Sequence, residues 1–288
     1  MNRPLAVVTT LGFVLTACGT TGDLPGTATT PGLEAQIVST EVLVGHQIRF
    51  PVGILEHNTP VKDAHVHIRT FFLGNGSPET RGESDAPFRG DGLQGAGVYV
   101  AHLDFDKAGS WGAEITASRP TGAHAVIRLS LNVLAESVVP APGQPAPRSH
   151  NPTIADVPDA SYIDSGNPPN DMHQISIADA IAKHQKTLVI FASPAFCTSR
   201  ICGPEVQVVQ SLEPSYRDRL TFIHVEIYTN YKPDPARKQL AQTVIDWRLQ
   251  TEPWIFLIGA DGTIRDRFEG PSAADEVRDG IDRLFAAG

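Results

Sequence analysis

Two cysteines, Cys197 and Cys202, stand five positions apart in the stretch FCTSRICGP, just ahead of Gly203-Pro204. Thiols this close suit three kinds of chemistry: thiol–disulfide exchange, ligation of a soft metal, or a bridge that staples a loop. On a regular helix, residues five apart have Cα atoms roughly 8.5 Å from each other. A disulfide needs about 4.4–6.8 Å, so the pair cannot bond if one helix carries both. Proline favours the first position of a helix. A helix opening at Pro204 leaves Cys202 at its N-terminal edge and Cys197 in the preceding loop, free to fold back. The positive end of that helix and the Arg200 guanidinium both favour a thiolate at Cys202.

Which chemistry applies depends on the compartment. The chain opens MNRPLAVVTTLGFVLTACGTTG, with Arg3 followed by an uncharged run over residues 4–17. That run is too short to span a bilayer but suits a secretory signal. Leu15-Thr16-Ala17-Cys18 resembles the bacterial lipobox, which implies cleavage after residue 17 and lipid on Cys18. Residues 18–34 are small, polar and rich in Gly, Thr and Pro, and read as a flexible tether. The expectation is an exported protein of the cell envelope, lipid-anchored to the membrane on its extracytoplasmic side. The chain has three cysteines in all. Lipidation of Cys18 leaves Cys197 and Cys202 to pair in an oxidising compartment. Net charge is −9 with no basic cluster, which argues against nucleic acid as a partner. No stretch suggests a nucleotide, flavin or haem site, so no cofactor is expected.

Two domains are expected from the patterning. Residues 35–137 alternate apolar and polar side chains in six runs, beginning near residues 35, 46, 64, 97, 111 and 125, and room for a short seventh strand lies between the third and fourth. This predicts an all-β, immunoglobulin-like sandwich with Tyr99 and Trp111 in its core. In DAHVHIR, His65, His67 and Arg69 share one strand face, read as solvated, while Val66 and Ile68 share the other. Residues 138–172 are Pro-rich and read as a linker. From residue 173 to 288 the order becomes α-β-α-β-α-β-β-α. TLVIFAS is apolar throughout, as a strand buried on both faces should be. Helices are predicted over 177–185, 204–212 (with Pro214 ending or kinking it), 235–249 and 272–287, and a hairpin turns at Asp261-Gly262.

This order, with cysteines between the first buried strand and its helix, resembles the thioredoxin superfamily over residues 173–288. VIFASPAFC resembles the strand-loop that leads through an aromatic residue to the family's first cysteine. TEPWIFLIGADGTI places Pro253 where the family has a cis-proline facing its dithiol, and CGP echoes Cys-Gly-Pro-Cys. The resemblance implies an α/β thioredoxin-like fold and a redox-active Cys197/Cys202 pair. It also implies a substrate groove that includes Phe196, Glu252, Pro253 and Trp254. Partners would be thiols or disulfides of exported proteins, or a membrane redox partner. Alignment after the aromatic residue makes Cys197 the attacking thiol and Cys202 the resolver; alignment on CGP reverses them, and the first is preferred. The chain departs from the family in carrying C-x4-C for C-x-x-C, Glu205 in place of the second cysteine, and Ile190 in place of a buried acid.

Three other interpretations use the same residues. CTSRIC resembles the cysteine spacing of one peroxiredoxin type, but Pro194 and Ile190 replace the threonine and proline of that site. Sco-like copper chaperones are exported and thioredoxin-folded, but they need a histidine far downstream. Here the last histidine is His224, in mid-strand, where a hydrogen-bonded core imidazole is expected rather than a ligand. The third is a non-enzymatic binding or adaptor lipoprotein with a structural disulfide. No metal site is expected.

Overall fold

The computed structural model describes residues 32–74 and 76–286. The expected signal segment and Cys18 lie outside the described residues, as does most of the tether. Among the described residues, no helix is long and apolar enough to cross a membrane.

Alternating side chains fold the first part of the chain into strands β1 (Leu33–Ile37), β2 (Val42–Leu43), β3 (Gly45–Glu56), β4 (Thr59–Pro60), β5 (His65–Phe72), β6 (Glu79–Asp85), β7 (Phe88–Arg89), β8 (Val98–Phe105), β9 (Gly109–Ser118) and β10 (His124–Leu134). They form two five-stranded sheets, β1-β3-β8-β7 with β4 paired to β3, and β2-β10-β9-β5-β6. Inward residues of both sheets share one core, where Phe105 of one sheet meets Trp111 of the other edge-on at 5.0 Å between ring centres. Tyr99 and Trp111 are buried, and the Tyr99 hydroxyl accepts from the Ala64 N–H at 2.9 Å. Val66 and Ile68 face this core, while His67 and Arg69 face outward to Asp85, Glu83 and Glu114. The sandwich begins at Leu33, inside the segment read as tether.

The second part contains α1 (Ile177–Ala182), β11 (Thr187–Ala192), α2 (Cys202–Tyr216), β12 (Thr221–Glu226), β13 (Tyr228–Thr229), β14 (Gln239–Leu240), α3 (Gln242–Asp246), β15 (Trp254–Ile258), β16 (Ile264–Glu269) and α4 (Ala274–Ala286). Its main sheet runs β12-β11-β15-β16, with β11 parallel to β12 and antiparallel to β15. Every residue of β11 is buried. Helices α2 and α4 cover one face, through Val206, Val209, Val277 and Ile281. On the other face, α1 and Trp247 pack against Val189, Phe191 and Phe256.

Two expectations are corrected here. The helix over 235–249 shrinks to the five residues of α3, because residues 235–240 are all exposed and offer no inner face, whereas Val244, Trp247 and Leu249 reach the core. Residues 239–240 instead pair with 228–229. Residues 138–172 are not a free spacer. Val139 and Ala146 enter the core beside α1, the Ala146 N–H donates to the Gly262 carbonyl at 2.9 Å, and Asp164, Asn170 and Met172 are buried. Proline suits a backbone that runs over a surface without pairing in a sheet, and here that surface is the second domain itself.

The two domains are docked. Arg49 of β3 donates to Glu276 (2.6 and 3.1 Å) and to the carbonyls of Glu269 (3.0 Å) and Pro271 (2.7 Å). Glu269 accepts from Ser39 and Thr40, and Arg267 pairs with Glu41 at 3.0 Å. Leu93, on the loop between β7 and β8, is fully buried in the α2/α4 core, and the Asp91 carbonyl accepts the Ala274 N–H at 2.9 Å.

Candidate functional site

The candidate site forms where β11 ends. After Ala192 the chain turns over Ser193-Pro194-Ala195, with the N–H groups of Phe196 and Cys197 both donating to the Ser193 carbonyl. Residues 198–200 form an exposed turn that reverses at Arg200, whose φ is 60°. Cys202 is the first residue of α2. Cys197 and Cys202 form a disulfide across this turn with Cα atoms 6.0 Å apart, inside the range that sulfur geometry allows. The helix opens two residues before Pro204 and continues past Pro214 to Tyr216, with the same consequence: Cys202 sits where free N–H groups and the helix dipole stabilise a thiolate.

The two sulfurs differ in access. Cys202 is fully buried and Cys197 is 9% exposed. The Ser199 hydroxyl lies 3.1 Å from the Cys197 sulfur, placed to donate to it when it is a thiolate. The Glu252-Pro253 bond is cis, and Glu252 puts a carboxylate oxygen within 4.8 Å of both sulfurs. Glu252 is half-buried, and among the described residues its Oε2 has no hydrogen-bond partner. Burial, reinforced by the charge of Glu226, pushes its carboxyl above the usual range. Phe196 packs against Tyr231 (5.3 Å) and Tyr228 (5.9 Å), with the Lys238 ammonium 5.5 Å from its ring.

Of the groove residues expected from the sequence, Glu252 lies beside the sulfurs, and Phe196 and Pro253 join the site as the chain neighbours of Cys197 and Glu252. Trp254 does not. Alternation along β15 sends Ile255 and Leu257 to the sulfur side of the sheet and Trp254 and Phe256 to the other. The Trp254 ring stacks on Phe256, and its N–H donates to the Thr251 hydroxyl at 3.0 Å. Tryptophan there is core, which corrects the expectation that it lines the groove.

A buried polar network lies under the loop, and sequence reasoning missed most of it. Asp164 Oδ2 accepts from the Asn170 backbone N–H and side-chain amide, both at 2.7 Å, and its Oδ1 accepts from the Gly166 N–H. The Asn170 amide also donates to His224 Nδ1 at 2.8 Å, and His224 Nε2 donates to the Ala192 carbonyl at 3.1 Å. Burial works against the Asp164 charge, but its hydrogen bonds, including that from His173, hold the carboxyl well below the usual range. Asp164, His173 and His224 bring ligand-type atoms within 4.8 Å of one another. The Asn170 amide bonds both Asp164 Oδ2 and His224 Nδ1, however, and His173 Nε2 approaches Asp164 Oδ2 at 3.4 Å, so these atoms are spent on hydrogen bonds. His224 is a satisfied core imidazole, as its place in mid-strand suggested. The ligand-type side chain grouped with the sulfurs is Glu252, and no histidine joins them among the described residues. The only prior signal for Asp164 and Asn170 was their place in a tract otherwise rich in proline.

Glu205, where the family pattern has its second cysteine, is fully buried, and among the described residues neither carboxyl oxygen has a hydrogen-bond partner. Burial pushes its carboxyl well above the usual range.

No family model matches the chain, and no curated protein matches it. Among solved structures, 38% of the chain aligns with 95% of a copper-bound variant of FetP from uropathogenic Escherichia coli strain F11, at 11% identity and a TM-score of 0.27. A second alignment joins 47% of the chain to 98% of the PKD domain from the human VPS10 domain-containing receptor SorCS2, at 13% identity and a TM-score of 0.20. Likenesses this remote carry no argument about fold or function.

Proposed function

We propose that the chain is a lipid-anchored, extracytoplasmic thiol–disulfide oxidoreductase, with an immunoglobulin-like module docked on a thioredoxin-like domain. One observation carries the proposal: the Cys197–Cys202 bridge sits at the start of α2, with a Glu252 carboxylate oxygen within 4.8 Å of both sulfurs. In the reduced protein, Cys197 is the attacking thiol because it is the more exposed of the two. Its thiolate bonds to one sulfur of a substrate disulfide and expels the other. Cys202 then attacks the mixed disulfide and releases the second substrate thiol. The partner is an exported protein thiol or disulfide, or a membrane redox protein. No cofactor takes part.

Trapping tests this. The Cys202→Ser variant, reduced and mixed with a disulfide-linked peptide, should stop at a mixed disulfide on Cys197, while the native pair releases both peptide thiols. The rival interpretation, a structural staple, draws on the burial of both sulfurs. It predicts that dithiol reagents fail to open the bridge in the folded protein and that no mixed disulfide accumulates.

A further inference from the structure

We infer that Glu252 is the proton carrier of this dithiol: it accepts the Cys202 proton before the resolving attack and returns it to the departing thiolate. The inference rests on the exchange reaction proposed above.

The geometry sets the problem that Glu252 solves. Cys202 is fully buried, so its thiol cannot hand a proton directly to water. The α2 N-terminus favours the thiolate, while burial disfavours it. Beside the sulfur, a base is needed that also reaches solvent. Glu252 meets both conditions. Its carboxylate lies within 4.8 Å of both sulfurs, the reach of one bridging water or a small side-chain movement. The residue is itself half-exposed, while the buried Oε2 has no partner among the described residues that would compete for it. The groups facing it are Glu226, whose charge adds to burial in raising the proton affinity of Glu252, and Tyr228, whose own hydroxyl is pushed up by burial and by the Glu252 charge, while Lys238 lies over the Tyr228 and Phe196 rings. Arg200 is on the exposed turn of the disulfide loop. The Ser199 hydroxyl serves Cys197 and is a donor, not a base.

The step balances. With Cys197 joined to a substrate sulfur, the Cys202 proton moves to the Glu252 carboxylate. The Cys202 thiolate bonds to Cys197, the Cys197–substrate bond breaks, and the leaving thiolate takes the proton back from the Glu252 carboxyl. The dithiol loses two electrons, which the substrate disulfide gains as two thiols.

The test uses the reduced full chain and dithiobisnitrobenzoate, which releases one coloured thiolate when Cys197 attacks and a second when Cys202 resolves; because this aryl thiolate leaves unprotonated, the second phase reads the step in which Glu252 accepts the Cys202 proton. In Glu252→Gln the second phase should slow on the order of 100-fold near neutral pH, the lower end of what a positioned proton-transfer group contributes. The gap should close as pH rises and the thiol ionises without help. The sign of the change is decisive. A carboxylate acting only as a nearby negative charge raises a thiol's pKa, so removing it would speed the second phase. A second phase that is unchanged or faster in Glu252→Gln therefore overturns the inference while leaving dithiol exchange intact. A native protein that releases only one equivalent overturns both. Glutamine keeps the shape and the orphaned oxygen has no bond to lose, so unchanged near-ultraviolet dichroism and melting temperature verify that the fold is intact.

Discussion

Arg49 should be worth far more than an ordinary ion pair. Its guanidinium is 13% exposed and Glu276 7% exposed, and it also holds the Glu269 and Pro271 carbonyls just before α4. Replacing it with methionine keeps most of the stem but strands a buried carboxylate and two carbonyls. Breaking a buried pair from one side costs about 3–5 kcal/mol. Arg49→Met should lower unfolding free energy by about that amount, read by urea titration with near-ultraviolet dichroism. Glu276→Gln alone and the double variant complete the cycle, and a coupling of about 2 kcal/mol or more is expected, within the range for residues in one network. The native chain should unfold in one transition, because Leu93 and Arg49 both tie the sandwich to α2 and α4. A loss below about 1 kcal/mol, or two well-separated transitions in the native chain, would refute the docking argument.

Glu205 makes a pH prediction. Its folded pKa lies above its unfolded value, so between the two the folded state holds more protons and stability must fall as pH rises. Native stability should therefore decline by about 1.4 kcal/mol per pH unit, relative to Glu205→Gln, from about pH 4.3 up to the folded pKa; parallel pH curves for the two proteins would show that this carboxyl is not buried. Leu93→Ala should cost about 2–5 kcal/mol in the same urea assay, as for a leucine removed from a packed core. A cost under about 1 kcal/mol would mean that the sandwich loop does not sit in the α2/α4 core.

What the sequence disclosed, and what it hid, follows from range of interaction. The six main sandwich strands, the doubly buried β11 and the loop-then-helix placement of the cysteines were legible, because each depends on local periodicity or on Pro204. Residues 138–172 misled because proline and polar content mark unpaired backbone, not exposure. Such backbone also coats a domain when residues such as Val139, Ala146 and Met172 supply anchors. The helix over 235–249 failed because it has too few apolar contacts to hold more than one turn. Trp254 was misplaced although strand alternation alone puts it on the face opposite Ile255. The Asp164–Asn170–His224 network joins residues 54 or more positions apart to a neighbour within six, and no local pattern signals such a meeting.

The most direct test of the central claim is the reduction potential of the Cys197–Cys202 couple, measured against glutathione and dithiothreitol buffers with free thiols counted by mass spectrometry. A working exchange pair should fall between about −120 and −270 mV, the span of thioredoxin-fold catalysts. A value below about −300 mV marks a structural disulfide and would contradict the oxidoreductase proposed here.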